Sequence, residues 1–324
     1  MQYRRMGRSG LKLSALSLGS WVTFGSQLGR GEARELVARA WDEGVNFFDN
    51  AESYARGESE RIMGDVIADL RLPRDGFCVS SKVFFGSAEE PRPTQRGLSR
   101  KHLIDACEGA LRRLRVDYLD LYFCHRPDPD VPVEEIVLTM DALIRQGKVL
   151  YWGTSEWPAE LIESACRLAR KQGLVGPSVE QPQYNLLHRR RVELEYAGLY
   201  AEYGIGLTTF SPLASGLLSG KYLEGTPEHT RLGDPEFAWL QRVVYGDDRD
   251  AREAQVRRFV ELAAQIGESP AQLAIAWCLK HPQVSSVILG ARTVAQLEHN
   301  LHALSLCESL GDEGFERLQS LDRG

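Results

Sequence analysis

An aspartate, a tyrosine, a lysine and a histidine lie at or near the ends of short apolar segments in the first half of the chain: Asp49, Tyr54, Lys82 and His125. A free phenol, with a pKa of about 10, is a weak proton donor at neutral pH. A neighbouring cation lowers that pKa, so Lys82 is expected to activate Tyr54 while Asp49 holds Lys82 by an ion pair. An imidazole can stabilise a developing oxyanion. Together these groups suit proton delivery to a carbonyl that is reduced by hydride.

Each of these residues taken alone has a simpler structural explanation. Asp49 could cap the turn that follows it, and Tyr54 could pack against its neighbours. Lys82 could be a surface lysine, and His125 a hydrogen-bonded loop histidine. The functional interpretation therefore depends on a fold that brings the whole set together.

The elements that must position these residues alternate between strand-like and helix-like patterns. Strand-like runs are predicted at 13–19, 45–49, 77–83, 119–125, 149–155, 178–184, 206–211 and 284–290. Apolar residues in 101–115 and 133–147 fall on one helical face, and Ser269 with Pro270 predicts the start of a helix at 271–281. Strands that alternate with helices imply parallel pairing and right-handed crossovers. Eight such runs predict a (β/α)8 TIM barrel.

The main alternative is a doubly wound parallel sheet, which usually carries a glycine-rich dinucleotide motif after an early strand. The sequence contains neither a G-x-G-x-x-G nor a Walker A motif, which favours the barrel. Residues 2–12 predict an N-terminal β-hairpin that turns at 8–10, and 214–250 predict a long loop after strand 7. We expect a single barrel domain over 1–324.

In such a barrel the carboxyl ends of the strands meet at one mouth, where active sites lie. The second predicted strand ends at Asp49 and its loop presents Tyr54, while Lys82 and His125 end the third and fourth. We therefore expect all of these side chains in one part of the mouth.

The composition favours a globular enzyme or regulator. The 324 residues are 43% hydrophobic, and the net charge of -6 argues against a nucleic-acid partner. No segment is long and apolar enough for membrane insertion, and the N-terminus lacks an apolar targeting region. The six cysteines have no close pairs and no metal-ligand spacing, so we expect buried free thiols, no metal site and a cytoplasmic location.

The order of the site residues, together with the segment GVNFFDNAESY (44–54), resembles the aldo-keto reductase superfamily. Five further phrases are similar to the branch that contains potassium-channel beta subunits and related bacterial reductases. They are GSWVTFG (19–25), RPDPD (126–130), YWGTSEW (151–157), SPLASGLLSGKY (211–222) and QLAIAWCLKHPQVSSVILGA (272–291). The resemblance covers nearly the whole chain.

The resemblance implies a barrel that binds NADPH/NADP+ extended across its mouth without a Rossmann fold. It implies that Tyr54 is the general acid, that Asp49 and Lys82 tune it, and that His125 positions a small-molecule carbonyl substrate. The implied cofactor-binding residues are Ser20, Trp21, Gln27, Asp49, Ser155, Gln181, Ser211, Leu213, Ser215, Lys221, Arg231, Gly290, Arg292, Gln296 and Asn300.

Different parts of the cofactor are assigned to different residues by the same resemblance. Ser155 and Gln181 would bind the carboxamide, and Tyr184 or a neighbouring aromatic residue would lie under the nicotinamide ring. The pyrophosphate would run along Ser211, Leu213 and Ser215. The adenosine 2′-phosphate end would be held by Lys221, Arg231, Arg292, Gln296 and Asn300, and several cations there would favour NADPH over NADH.

The residues 290–293 lead directly into a predicted helix N-terminus, a position that suits a phosphate. For Gln296 a purely structural role is equally open, because Thr293 and Gln296 have the spacing of a capping box. The two roles do not exclude each other.

Aromatic residues in the predicted strand-to-helix loops could wall an apolar substrate pocket. Trp21, Phe84 and Trp157 are assigned to the substrate site with Tyr54 and His125. Phe85 is expected only to pack its own loop.

The sequence departs from the channel-subunit branch at two positions. His125 stands where that branch often has asparagine, which favours a working reductase over an NADPH-binding, redox-sensing regulatory subunit with slow turnover. Glu156 stands where a basic residue is expected. A barrel lyase that uses Lys82 as a Schiff base is a weaker alternative, since it does not need Tyr54. The branch also suggests a homo-oligomer, a tetramer or larger.

Overall fold

The structure is a computed structural model that describes residues 1–227, 230 and 232–320 of the 324-residue chain. It begins with two short antiparallel strands, β1 (Tyr3–Arg5) and β2 (Lys12–Ser14), which confirm the predicted hairpin. The chain reverses between them through a turn in which Ser9 N donates to Met6 O over 3.0 Å.

Eight parallel strands then close a barrel, which confirms the predicted (β/α)8 architecture. They are β3 (Leu16–Gly19), β4 (Phe47–Asp49), β5 (Cys78–Val83), β6 (Leu119–Cys124), β7 (Val149–Thr154), β8 (Val179–Glu180), β9 (Gly206–Thr209) and β10 (Val284–Leu289). Each barrel strand pairs with the next along the chain, and β10 pairs with β3 to close the circle. The buried apolar core holds Met6 and Leu13 from the hairpin region together with barrel residues such as Phe47, Leu121 and Phe123.

The helices follow the strands in the expected alternation. They are α1 (Arg30–Asp42), α2 (Glu58–Leu70), α3 (Arg100–Leu114), α4 (Val133–Arg145), α5 (Ala159–Gln172), α6 (Ala197–Tyr203), α7 (Ala238–Tyr245), α8 (Arg249–Ile266), α9 (Pro270–Lys280), α10 (Val294–Leu301), α11 (Ala303–Ser309) and α12 (Gly311–Ser320). Among the described residues, none of these helices is long and apolar enough to cross a membrane.

The start of α3 shows why the local sequence folds as it does. Ser99 accepts a hydrogen bond from His102 N over 3.3 Å and so caps the helix, and Leu103 and Cys107 bury its apolar face. The start of α9 differs from the prediction. Ser269 occupies the capping position, but its hydroxyl lies 2.9 Å from His299 Nε2 and bonds no helix N–H group.

The chain divides into two compact units, each described here by itself. The first comprises Met1–Pro182, Arg190–Phe210 and Gln283–Leu297, and it contains the hairpin and the whole barrel. The second comprises Gln183–Arg189, Ser211–Pro282 and the described residues from Glu298 onward. A single domain over 1–324 stays a prediction.

The predicted long loop at 214–250 is partly helical. It contains short 3-10 helices at Ala214–Ser219 and Pro235–Phe237, and then α7. Arg231, assigned to the cofactor site from sequence, lies outside the described residues.

Candidate active site

The carboxyl ends of neighbouring barrel strands bring the predicted acid–base residues together. Asp49 ends β4, Lys82 lies near the end of β5, and His125 directly follows β6. Tyr54 begins the 3-10 turn Tyr54–Gly57 after β4 and is half-buried. Asp49, Lys82 and His125 are buried, so their interactions take place away from bulk water.

Lys82 is the centre of this cluster. Its Nζ lies 2.6 Å from Asp49 Oδ2, 2.8 Å from Asn50 O and 3.1 Å from Tyr54 Oη. These contacts use all three N–H donors of the ammonium. Burial lowers the pKa of Lys82, but the charge of Asp49 and the contact with Tyr54 outweigh it, and the net pKa is raised. Lys82 is therefore a permanent cation at neutral pH.

Asp49 is fixed on both of its oxygens. Oδ2 pairs with Lys82, while Oδ1 accepts hydrogen bonds from Ser80 Oγ over 2.7 Å and from Gln181 Nε2 over 3.1 Å. Gln181 follows β8 and also reaches Thr208 Oγ1 over 3.4 Å. The orientation of the ion pair is thus set from strands on several sides of the barrel.

The expected lowering of the Tyr54 pKa is a point that the structure corrects. Burial raises the pKa of Tyr54 and outweighs the lowering by Lys82, whose charge is itself offset by Asp49. Tyr54 is consequently held as the neutral phenol, which keeps its proton until a stronger base forms beside it. At this distance Lys82 can orient the Tyr54 hydroxyl, and its charge would stabilise a phenolate there.

His125 is a neutral imidazole in this site. Burial lowers its pKa well below the ordinary value, and the positive charges of Lys82 and Arg126 add to that effect. Its ring meets that of Tyr54 edge to face, with 5.9 Å between centroids. Its buried Nδ1 has no hydrogen-bond partner among the described residues. A neutral imidazole has one N–H to donate and one nitrogen that accepts.

Two residues of this site were missed from the sequence. Arg126 donates to His125 O and, over 3.4 Å, to Ser155 Oγ. Phe85 is 45% exposed, and its ring lies 5.2 Å from that of His125, so it does more than pack its loop. Phe84, assigned to the substrate site from sequence, is half-buried with its ring centroid 5.0 Å from that of Phe85, and its role stays a prediction. Arg126 directly follows His125 in sequence, and that adjacency was the available signal.

Four of the predicted cofactor residues in the first unit belong to this cluster or are bonded to it, namely Ser20, Asp49, Ser155 and Gln181. Ser20 Oγ donates to Asp49 O over 3.0 Å and to Asn50 Oδ1 over 2.7 Å. Ser155 Oγ donates to Gln181 O over 2.8 Å, which joins the two residues assigned to the carboxamide. Trp21 is half-buried. Gln27 Oε1 is buried and has no hydrogen-bond partner among the described residues.

The segment after β10 has the geometry of a helix cap. Gly290 directly follows that strand. Gln296 N donates to Thr293 Oγ1 over 3.2 Å, and Gln296 Oε1 accepts from Arg292 N over 2.9 Å. Thr293 therefore caps the helix, whereas the Gln296 side chain reaches back to Arg292 N and not to Thr293 N, so the predicted capping box is only half formed.

Three of the predicted cofactor residues of the second unit, Ser211, Leu213 and Ser215, lie in a tight turn. Ser211, Ala214 and Ser215 have positive φ angles of 57°, 47° and 58°, and Ser215 N donates to Ser211 Oγ over 3.3 Å. Successive turns of this kind can present backbone N–H groups to an anion. Leu213 is half-buried, Lys221 is exposed and Asn300 is buried.

Two predicted aromatic residues are enclosed. Tyr184, in the second unit, is 2% exposed and packs against Trp277 with 4.8 Å between ring centroids. Trp157, in the first, is buried and offers no exposed ring surface. By contrast Phe210, the last residue of its segment in the first unit, is half-buried. The ring of Phe210 thus has exposed surface on which another flat ring could stack.

Glu156 adds less negative charge to the site than its type suggests. Its carboxylate forms an ion pair with Arg191, with 2.9 Å between Oε2 and Nη1. The described residues hold no cluster of side chains suited to a metal ion.

Comparison with known proteins shows where this arrangement occurs. The model of the Aldo/keto reductase family matches residues 15–323. A protein named "Probable voltage-gated potassium channel subunit beta" from Oryza sativa subsp. japonica is 47% identical over 322 residues, covering 99% of this chain and 96% of the relative. One of the same name from Arabidopsis thaliana is 46% identical over 322 residues, with the same coverage. A "Putative voltage-gated potassium channel subunit beta" from Schizosaccharomyces pombe is 43% identical over 320 residues, covering 98% of this chain and 92% of the relative.

Proposed function

The chain belongs to the aldo/keto reductase family, and on that premise we propose that it reduces aldehydes or ketones to alcohols with NADPH. Family membership makes it an oxidoreductase that acts on small molecules. The observation that carries the finer proposal is the position of Lys82, whose ammonium contacts both Asp49 and Tyr54. Such a bridge suits a phenol that must release one proton and then be stabilised as an anion.

The chain's own residues have distinct roles in this proposal. NADPH, when bound, supplies the hydride. Tyr54 Oη donates its proton to the carbonyl oxygen, and Lys82 stabilises the phenolate that results. Neutral His125 donates a hydrogen bond to the same oxygen and so stabilises the charge that develops on it. Asp49 holds Lys82 in place and is not consumed.

The first unit offers suitable groups for the nicotinamide part of NADPH. Ser155 and Gln181 bind the carboxamide in this proposal, and the half-buried ring of Phe210 replaces buried Tyr184 beneath the nicotinamide. The orphaned Oε1 of Gln27 fits a hydroxyl or amide donor of the cofactor. Ser20, Trp21, Gly290, Arg292 and Gln296 complete the proposed set in this unit. The assignments of Ser211, Leu213, Ser215, Lys221 and Asn300 stay predictions, as does that of Arg231.

The test is steady-state turnover of an activated aromatic aldehyde, followed through the absorbance of NADPH, for wild type and Tyr54→Phe. The phenylalanine variant keeps the ring and removes the acid. We expect its turnover to fall by at least about a hundredfold while NADPH binding, measured by fluorescence titration, stays unchanged. Equal turnover of the two proteins would refute the role of Tyr54.

A second candidate is an NADPH-binding regulatory subunit with slow turnover, which the names of the relatives favour. The histidine at 125 favours the enzyme, because a neutral imidazole at that position supplies a donor for the oxyanion. Tight NADPH binding without repeated turnover of any carbonyl compound would support the regulatory subunit instead.

We further propose a homo-oligomer, a tetramer or larger, by analogy with the channel-subunit branch, and a cytoplasmic location from the composition. Sedimentation of the purified protein at several concentrations tests the first. Fractionation of cells that express it tests the second.

A further inference from the structure

The β5–α3 loop, residues 84–99, is tied to a buried carboxylate that the reaction does not use. Glu52 lies between Asp49 and Tyr54 in sequence and is 2% exposed. Its Oε1 accepts backbone hydrogen bonds from Phe84 N over 2.8 Å and from Gly86 N over 2.9 Å. Its own backbone N donates to Lys82 O over 3.1 Å. One side chain thus anchors the start of the loop to the segment that presents the acid.

The end of the loop is anchored to the same carboxylate through a histidine. His102, on α3, places Nε2 3.3 Å from Glu52 Oε2 and Nδ1 2.9 Å from Gly97 O. Gly97 N in turn donates to Phe84 O over 2.7 Å, which closes the loop on itself. Surface loops usually move more than the elements they connect, but the ends of this one are fixed to a buried pair.

Phe85 is held between the two anchored amides. Its neighbours Phe84 and Gly86 both donate to Glu52, so the backbone on either side of Phe85 is fixed. Its ring is 45% exposed and meets that of His125 edge to face at 78°. The guanidinium of Arg126 lies 5.9 Å from the centroid of the Phe85 ring. An exposed aromatic ring is therefore presented beside the imidazole that faces Tyr54.

We propose that Glu52 is a positioning residue which, with His102, fixes the β5–α3 loop so that Phe85 forms an aromatic wall of the carbonyl site, and that the site therefore prefers carbonyl compounds carrying an aromatic group. This inference rests on the proposed reductase function. Offset or edge-to-face contact with the Phe85 ring stabilises an aromatic substrate and not a small aliphatic one. The preference is lost whenever the ring is removed or the loop is released.

A buried ion pair that only stabilises the fold would affect all substrates alike. The comparison is therefore between 4-nitrobenzaldehyde and propanal, as the ratio of their kcat/KM values. Phe85→Ala is expected to reduce that ratio about fivefold, and Glu52→Ala to reduce it by a similar factor. The double variant is expected to be no worse than Phe85→Ala, because both act through the same ring.

Two further variants separate positioning from stability. Glu52→Gln keeps an oxygen that accepts from Phe84 N and Gly86 N, so it is expected to retain most of the wild-type ratio. Glu60→Gln is the matched control, because Glu60 is a buried carboxylate bonded to Ser81 and Arg113 and not to the loop. It is expected to leave the ratio unchanged even if it lowers the melting temperature.

Hydrogen–deuterium exchange of the unliganded protein gives a readout that does not need turnover. Exchange in peptides that cover 84–99 is expected to rise in Glu52→Ala and to stay at the wild-type level in Glu60→Gln. If Glu52→Ala does not fold, His102→Ala takes its place in both measurements, since it removes the link to Gly97 O and leaves Glu52 present.

Unchanged loop exchange in the released variant overturns the positioning role. Two results overturn the link to Phe85. One is faster exchange in 84–99 with an unchanged ratio of kcat/KM values. The other is a double variant in which the reductions of that ratio by the two single substitutions add. If wild type reduces no carbonyl compound at all, the reductase function fails and the substrate preference fails with it, while the exchange result still decides whether Glu52 fixes the loop.

Discussion

Gln181 and Asp49 join opposite sides of the barrel mouth through one hydrogen bond, with 3.1 Å between Nε2 of the amide and Oδ1 of the carboxylate. β8 and β4, the strands that these residues follow or end, lie four places apart in the barrel order. A residue proposed to bind the cofactor is thereby in contact with Asp49, which holds the proposed catalytic residue Lys82. A substitution at Gln181 therefore alters a hydrogen bond of Asp49, and through Lys82 it can change the environment of Tyr54.

Gln181→Leu tests this link. The variant keeps the volume of the side chain but removes both its donor and its acceptor. We expect weaker NADPH binding and, at saturating NADPH, a fall in kcat of about tenfold, since the bond is to a charged group. Thr208→Val is the matched control, because it removes only the 3.4 Å contact of Gln181. A Gln181→Leu variant that raises KM for NADPH and leaves kcat unchanged would contradict the link to Asp49.

Lys82→Met tests the buried ion pair. The substitution leaves Asp49 buried without its cation, and removing one partner of such a pair costs about 3–5 kcal/mol of stability. We expect a clear fall in melting temperature together with a loss of turnover of at least two orders of magnitude. The double variant Asp49→Asn/Lys82→Met is expected to recover stability and not activity. Recovery of both would show that Lys82 serves only the fold.

The pH dependence of turnover follows from the directions of two pKa shifts. Burial raises the pKa of Tyr54 above its ordinary value. Tyr54 therefore stays protonated throughout neutral pH and loses its proton only above about pH 10. The pKa of His125 is lowered well below its ordinary value by burial, so the imidazole stays neutral down to acid pH. We expect kcat for reduction to be constant from about pH 7 to pH 9. A step near pH 6.5 that disappears in His125→Gln would contradict this arrangement.

Glu180 makes stability depend on pH in the opposite sense to most carboxylates. Burial raises the pKa of Glu180 to about 8, although the hydroxyl of Thr154 donates to it. Between its unfolded pKa of about 4.3 and this folded value, the native state binds more protons than the unfolded state. The contribution of Glu180 to stability is therefore complete below the unfolded pKa and declines as pH rises towards 8.

Glu180→Gln tests this sign. The amide resembles the protonated acid, so we expect the melting temperature of the variant to match that of wild type near pH 4 and to exceed it near pH 9. The advantage at high pH corresponds to a few kcal/mol as an order of magnitude. Thermal melts of both proteins across this range give the comparison. A variant less stable than wild type at high pH would show that folding does not raise the pKa of Glu180.

The barrel and the acid–base cluster were predictable because both follow from the order of elements. Once strands and helices alternate, parallel pairing places the ends of successive strands side by side, and Asp49, Lys82 and His125 must then meet. The lengths of the strands were predicted less accurately from the sequence. The sixth predicted run, 178–184, contains only Val179–Glu180 as a strand, since Pro182 lacks the N–H group that would continue the ladder.

The features that the sequence did not predict depend on burial and on backbone atoms. The sign of the Tyr54 pKa shift is set by enclosure, which residue types and spacing do not report. The role of Glu52 was missed because its partners are main-chain N–H groups of Phe84 and Gly86 and a histidine far along the chain. The contact of the Ser269 hydroxyl with His299 was missed for a similar reason, because the two residues are distant in sequence.

The contacts that fix the β5–α3 loop have a consequence for how the protein can be altered. On the loop side all of them use main-chain atoms, namely Phe84 N, Gly86 N and Gly97 O. Gly86 and Gly97 must stay glycine, because their φ angles are 80° and 79° and an added Cβ would lie 2.4 Å from Gln95 O and 2.6 Å from Asp128 Oδ2. The side chain at 85 is free to vary while this backbone frame is preserved, provided that both glycines are kept and that proline is avoided at 84. Saturation libraries at this single position should yield folded proteins that differ in which carbonyl compounds they accept. Mutations at 85 can therefore change the substrate selectivity of the protein without altering the proposed acid–base residues beside the loop.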